Sequence, residues 1–373
     1  MKKLGFGLMR LPLIDENDQG SIDISRFTYM VDEYLKNGFT YFDTAYPYHN
    51  GNSETAFREV VVKRYPRQAY TITNKLPMFN INDASQIPEI FDNQLEKCGV
   101  DYFDYYLLHG LDEKTYFQSE EMKAFQFVLK KKSEGKIKHI GLSFHDSADV
   151  LDKILTQHSE MEYVQLQINY IDWEDDVVQS KRCYEVAKKH NKPVIVMEPV
   201  KGGSLANISK DAEMLFKKEN EQYSIASWAI KYAASLDNVM VVLSGMSNEE
   251  QLMDNMSYMK DFQPLNEKEY EVIENAKEII KSNIAIPCTS CHYCTENCPK
   301  QIAIPEYFSI YNNYKRFGES QYKMGVYNYE NLNDKFGKAS DCIECKQCEE
   351  HCPQHLTITN YLKEVAKVLE VKE

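Results

Sequence analysis

Two groups of residues in this chain are spaced for chemistry. The first is a pair of matching cysteine runs, Cys288-x-x-Cys291-x-x-Cys294-x-x-x-Cys298-Pro299 and Cys342-x-x-Cys345-x-x-Cys348-x-x-x-Cys352-Pro353. Clustered Cys-x-x-Cys repeats are ligand patterns, and three close thiolates with a fourth before proline suit iron–sulfur cages. Structural zinc also uses Cys-x-x-Cys pairs, but eight thiolates in two like runs fit cluster binding better. The second group is Asp43 and Tyr48 in FDTAYPY, Lys75 in TITNKL and His109 in YYLLHG. A phenol can protonate the oxygen of a carbonyl that receives hydride, although a free phenol near pKa 10 is a weak acid. A neighbouring ammonium stabilises the phenolate, a carboxylate keeps that ammonium charged and placed, and an imidazole can orient the carbonyl. Singly, each residue has a plainer reading: a rim tyrosine among 26, or a buried structural histidine.

Such a quartet must be carried to one place by a rigid frame. Before Asn283, β-branched or aromatic runs alternate with amphipathic helical stretches. The runs are Leu4–Leu8, Phe39–Asp43, Tyr70–Lys75, Phe103–His109, His139–Ser143, Tyr163–Ile168, Pro193–Glu198 and Val239–Ser244. Ser85–Lys97 shows the helical period, with Ile87, Ile90, Phe91 and Leu95 on one face. Eight strand–helix repeats predict an α/β fold of the (β/α)8 TIM-barrel type, with Asp43, Lys75 and His109 at the C-terminal strand ends, where barrel catalysis gathers. An open doubly wound sheet would usually carry a Gly-rich fingerprint after its first strand, and this chain has none. Near Ile284 the pattern breaks into the cysteine runs, a Tyr- and Asn-rich segment Gln301–Ser340 and an amphipathic tail Ile358–Val371. We expect a barrel domain at 1–282 and a mainly helical, ferredoxin-like domain at 283–373.

The cysteine runs resemble those of bacterial ferredoxins, in which the fourth cysteine of each run ligates the other cluster. That resemblance implies two [4Fe-4S] clusters, one on Cys288, Cys291, Cys294 and Cys352, the other on Cys342, Cys345, Cys348 and Cys298. Residues 1–282 resemble the aldo-keto reductases, whose Asp, Tyr, Lys, His tetrad is matched in order by Asp43, Tyr48, Lys75 and His109. With its cysteine tail the chain is similar to the iron–sulfur-containing bacterial branch of that family. The resemblance implies NAD(P)H-dependent carbonyl reduction with Tyr48 as acid, and a nicotinamide carboxamide held by Ser143 and Gln165. It also implies a cofactor surface at Met197, Ser244, Gly245, Ser247, Gln251 and Asn255. The sequence departs from the family at Phe144, where an Asn is usual, and near Met197 and Glu198, where an aromatic normally stacks on the nicotinamide. The Lys and Arg that usually clasp a 2′-phosphate are absent, with Gln251 at the Arg position. Ser247 with Glu250 reads as a capping box opening a helix over Asn248–Asn255, a place for the cofactor phosphate.

Nicotinamides pass electrons in pairs and clusters pass them singly, which leaves several arrangements open. The clusters can be structural or sensory beside a conventional NAD(P)H reductase. A flavin such as FMN can split the pair, with the clusters fed by a ferredoxin-like donor or acceptor. The clusters can also reduce a substrate stepwise without nicotinamide. A non-enzymatic electron carrier or redox sensor is the reading outside enzymology. A net charge of −14 argues against a nucleic-acid binder. No apolar run reaches the roughly 18 residues of a membrane span. The opening MKKLGFGLMRLPL reads as a first strand rather than a secretory signal, so a cytoplasmic protein acting on a small carbonyl compound is expected.

Overall fold

The computed structural model describes residues 2–370 apart from 17, 177, 283 and 318, and leaves the side chains of 316, 317, 319–321 and 324 undescribed. Asn283, where the domain boundary was expected, and Val371, the end of the expected tail helix, lie outside the described residues. Eight strands form a closed parallel barrel: β1 (Leu4–Gly7), β2 (Tyr41–Asp43), β3 (Thr71–Leu76), β4 (Phe103–Leu111), β5 (Ile137–Phe144), β6 (Tyr163–Gln167), β7 (Val194–Met197) and β8 (Val239–Gly245). β8 closes onto β1 with Leu4 opposite Val242 and Gly7 opposite Gly245.

Side chains that alternate inward fill the barrel in layers. Tyr41, Leu107, Tyr163, Ile195, Val241 and Leu243 make one buried row-to-row cluster. Gly141 makes room for it: a Cβ there would stand 2.6 Å from the Tyr163 carbonyl oxygen and 2.7 Å from its ring. Polar Asp43, Lys75, Ser143 and Gln165, each two residues beyond a member of this row or its register partner, therefore face inward at the strands' C-terminal ends. β4 runs past His109 through an irregularity between Leu108 and Leu111, where Gly110 takes φ 67°.

The helix Gln86–Cys98 follows the expected period, burying Ile87, Phe91, Gln94 and Cys98, and stops at Gly99, whose φ of 68° suits a left-handed C-cap. The stretch Thr115–Lys123 lies mostly within a helix, Glu113–Glu121, capped by Asp112. Cys98 and Cys183 are buried single thiols.

The chain divides into two compact units, one of residues 1–199 and 227–265 and another of 200–226 and 266–373. The first holds all eight strands. In the second, helix Lys210–Glu219 packs on helix Glu267–Ser282, with Lys268 paired to Glu219 at 2.7 Å. Gly202, at φ 63°, lies so close to Thr289 that a Cβ would fall 2.3 Å from its carbonyl oxygen. Helices Ile304–Phe317, Glu319–Asn333 and Ile358–Leu369 build a core of Tyr307, Phe308, Tyr329, Leu362, Val365 and Leu369. Buried hydroxyls there are satisfied: Tyr307 donates to Gly337 O at 2.9 Å, and Tyr329 accepts from Ala339 N at 2.7 Å. Among the described residues no helix is long and apolar enough to cross a membrane.

Candidate active site and cysteine cages

Asp43, Tyr48, Lys75 and His109 meet at the C-terminal end of the barrel. Lys75 Nζ donates to Asp43 Oδ1 at 2.5 Å and to Thr44 O at 2.8 Å. The same Nζ lies 4.9 Å from the centre of the Tyr48 ring. The His109 ring packs edge-on against Tyr48 at 6.2 Å and against Phe79 at 5.1 Å. Lys75 is fully buried, and the other three are 9% exposed or less. Two ions out of water are tolerable only when paired and hydrogen-bonded. Burial, only partly offset by the Asp43 and Glu54 carboxylates, lowers the Lys75 pKa below the usual lysine range. Burial raises Asp43, with Lys75 opposing, and Asp43 Oδ2 finds no hydrogen-bond partner among the described residues. Burial, then the Lys75 charge and then His145, push His109 well below the ordinary histidine value. At neutral pH His109 is therefore an uncharged imidazole able to donate or accept a hydrogen bond.

A buried polar scaffold that the sequence pattern did not disclose holds Lys75. Gln94 Nε2 donates to Lys75 O at 2.9 Å and to Asn74 Oδ1 at 3.1 Å, and Tyr106 OH donates to Gln94 Oε1 at 2.6 Å. Asn74 Nδ2 donates to Glu54 Oε1 at 2.8 Å, and Glu54 pairs with Lys97 at 3.0 Å. The available signal was Gln94, a polar residue on the apolar face of its helix.

Tyr48 sits in a turn followed by three left-handed residues, His49, Asn50 and Gly51 at φ 55°, 54° and 80°. The His49 imidazole is used structurally. Its Nε2 accepts from Leu11 N at 3.0 Å while Nδ1 bonds Gln19 O at 2.8 Å, which requires the neutral Nδ1–H tautomer. Burial lowers its pKa accordingly.

Ser143 and Gln165 stand opposite each other on β5 and β6. Ser143 Oγ accepts from Gly110 N at 2.7 Å, whereas buried Gln165 Oε1 has no hydrogen-bond partner among the described residues. A buried acceptor left open in a cleft costs about 1–3 kcal/mol, so a donor-bearing ligand such as a carboxamide fits it. Met197 ends β7, and Glu198 beyond it takes φ 54°, its carbonyl held by Asn169 Nδ2 at 3.1 Å.

The loop after β8 differs from the capping box expected there. Asn248, not Ser247, caps the helix Glu249–Met259: its extended backbone lets its side chain accept from Gln251 N at 2.9 Å. Asn is as good a cap as Ser, and one residue of register decides between them. Ser247 Oγ instead donates to Arg10 O at 2.9 Å, and Gln251 Oε1 accepts from Ser247 N at 2.8 Å. Asn255 donates to Ser244 Oγ at 2.8 Å and accepts from Tyr258 OH at 2.6 Å. Glu249 and Glu250 occupy the helix's first turn, and the Arg26 hydrogen bond holds Glu249 ionised with a pKa down at about 2. Carboxylates there oppose a phosphate. The nearby cation comes from the turn after β1: Arg10 packs beside Gly245, its guanidinium 3.9 Å from Glu198.

In the second unit, Cys288, Cys291, Cys294 and Cys352 line one cavity with Ile304, Phe308 and Leu356. Cys298, Cys342, Cys345 and Cys348 line another with Ile302, Ile304 and Leu362. Among the described residues no three His, Cys, Asp or Glu side chains gather tightly enough to hold a single metal ion. Sulfurs spread around a cavity suit a multi-iron cage rather than tetrahedral zinc, where Zn–S is about 2.3 Å. Each cage has a backbone N–H on a sulfur: Ser290 N to Cys288 Sγ at 3.4 Å and Ile302 N to Cys298 Sγ at 3.5 Å.

A closed barrel with a buried Lys–Asp pair beneath a tyrosine, joined to a cysteine-lined helical unit, defines a redox enzyme. The chain belongs to the aldo/keto reductase family, matched over residues 3–278, and residues 287–357 match the 4Fe-4S dicluster domain. It is an oxidoreductase of that family. A NADH-specific methylglyoxal reductase from Escherichia coli is 22% identical over 264 residues, covering 59% of this chain and 78% of the relative. A 9,11-endoperoxide prostaglandin H2 reductase from Trypanosoma cruzi is 24% identical, covering 65% and 80%. The aldo-keto reductase of Bacillus halodurans in its holo form shares the fold at TM-score 0.59 and 23% identity, covering 74% of this chain and 91% of that one. A Klebsiella pneumoniae aldo-keto reductase in complex with NADPH gives 0.56 at 18% identity, covering 73% and 90%.

Proposed function

We propose that this protein reduces a small carbonyl compound with NAD(P)H, Tyr48 protonating the nascent alkoxide, and that the eight cysteines of its tail hold two [4Fe-4S] clusters. The observation that carries the reading is the buried Lys75–Asp43 pair beneath the Tyr48 ring, facing neutral His109. When bound, the nicotinamide supplies hydride and the clusters supply one-electron storage. Tyr48 gives its phenolic proton to the carbonyl oxygen as negative charge develops there. The Lys75 ammonium stabilises the phenolate left behind, and Asp43 keeps that buried ammonium charged. His109 donates a neutral hydrogen bond that orients the carbonyl, and Phe79 packs against its ring.

Ser143 and Gln165 would hold the carboxamide, with Met197 beside the ring. Ser244, Gly245, Ser247, Gln251 and Asn255 shape the loop toward the phosphates, with Arg10 as the cation. The two carboxylates in that helix's first turn disfavour a 2′-phosphate, so NADH is the better fit. One domain division consistent with this reading sets the reductase portion at 1–282 and the cluster portion at 283–373.

Methylglyoxal is a suitable first substrate, since a relative carries that activity in its name. With anaerobically purified protein, NADH oxidation should require methylglyoxal or another small aldehyde, and Tyr48→Phe should slow it by about 10²–10⁴ while iron content stays unchanged. An unaltered rate in Tyr48→Phe would remove the proposed acid. Flavin fluorescence released on heating would put a flavin in place of the nicotinamide.

A further inference from the structure

The two cysteine cages differ in what covers them. The loop Thr289–Tyr293, which carries Cys291, is buried or half-buried throughout. The loop Ile343–Gln347, which carries Cys345, is exposed at every residue, and Ile343 shows 58% of its surface. Their charge differs too. Lys300 and Lys346 line the second cage, whereas no Lys, Arg, Asp or Glu lines the first among the described residues. Nearby Lys363 is neutralised by Glu344 at 2.8 Å, but Lys300 and Lys346 have no ion-pair partner among the described residues. Ile304 lines both cavities, so a single aliphatic side chain is shared between the cages.

We propose that the cage of Cys298, Cys342, Cys345 and Cys348 is the electron port of this enzyme, and that its partner is a small protein carrying a one-electron centre behind an acidic face. The proposal rests on the cluster-binding reading above. A chain of net charge −14 repels an acidic carrier over most of its surface. Lys300 and Lys346 beside an exposed cysteine, against Asp341, Glu344, Glu349 and Glu350 of the neighbouring segment, offset that repulsion locally, so they set the docking orientation and speed the encounter. Ile343 adds a small apolar contact at the centre, as suits a weak, fast-dissociating electron-transfer complex rather than a permanent one. Each encounter moves one electron and no atom: the carrier is oxidised by one unit and the port reduced by one. With both cages filled, the covered one, which shares Ile304 with the port, would supply a second one-electron store.

An acidic two-cluster bacterial ferredoxin is the probe. Binding of the oxidised ferredoxin to the anaerobic, iron-replete full chain should be salt-sensitive. The double substitution Lys300→Glu with Lys346→Glu should weaken it by about tenfold or more, and the Gln pair by an intermediate factor. A zero-length carbodiimide should cross-link the ferredoxin through Lys300 or Lys346. In stopped flow, charge reversal should slow cluster bleaching by reduced ferredoxin but not by the methyl viologen cation radical. Equal slowing of both donors, binding indifferent to salt and to both substitutions, or cross-links confined to other lysines would overturn the port. Absence of iron and sulfide from reconstituted protein defeats the cluster reading itself. Filled cages that ignore the ferredoxin defeat the port alone.

Discussion

In the barrel, Asp43, Lys75 and His109 stand at the ends of hydrogen-bonded strands and are all but excluded from solvent. In the second unit the eight thiols stand mostly on turns, with Ser290, His292, Glu344 and Lys346 in left-handed backbone between them. The barrel contains its own compensating charge: the Asp43 carboxylate and the Thr44 carbonyl answer the Lys75 ammonium without any ligand. The four thiols of each cage are groups of like sign. Burial holds the Cys288 thiol up at about 11 and Cys348 at about 12, so neither ionises readily until iron stands beside it. One site is built by the sheet before anything binds; the other needs its metal to be complete.

Four measurements test that contrast. The largest effect belongs to Tyr48→Phe, which should cost about 10²–10⁴ in kcat because a positioned general acid contributes that much. Its melting temperature and iron content should match those of the parent. A collapse of either would mean that Tyr48 supports structure rather than proton transfer. Next comes iron removal by a chelator under reducing conditions. Metal binding to such sites is folding free energy, so calorimetry should show the loss of one transition and survival of another, the barrel's. Loss of both together would end the claim that the barrel site is self-sufficient.

Gln165→Ala removes the open acceptor proposed for the carboxamide. A hydrogen bond worth about 0.5–1.5 kcal/mol predicts a rise in the KM for NADH of up to roughly tenfold with a smaller change in kcat. No change in KM would take the nicotinamide away from that position. The smallest effect is on stability against pH. His49 and His109 are both depressed below the unfolded histidine value, so the unfolded chain binds more protons as pH falls. Their contribution is complete above the unfolded value near 6.5 and is lost as pH drops below it. The melting temperature should decline from pH 7 toward 5, less steeply in His49→Gln, whose amide can keep the Leu11 bond without titrating. Equal slopes in both proteins would show that His49 does not couple folding to protons.

Much of this arrangement could be read from local pattern. The eight strand segments rest on short-range alternation, and β1 to β8 all begin and end within a few residues of the runs that announced them. Asp43, Lys75 and His109 were legible because a strand end is a local event, and in a parallel barrel every strand end points to the same face. The helix cap at Asn248 was less legible, since Ser247 and Asn248 are both good caps and only the backbone turn selects one. Arg10 was invisible as a neighbour of the β8 loop, because β1 and β8 meet only when the barrel closes.

What the amino-acid order determined alone is the spacing of donors: periodicity two and 3.6 for the barrel, and cysteines three and four apart for the cages. These follow from the reach of the chain over a few residues. Packing of the whole chain, by contrast, selects which distant groups share a dielectric. Glu54, Asn74 and Gln94 become one network under Lys75, Gln165 is left with an open oxygen, and one cage is covered while the other is bare. Burial and pairing depend on contacts between residues far apart in sequence, and those exist only once the whole core has packed.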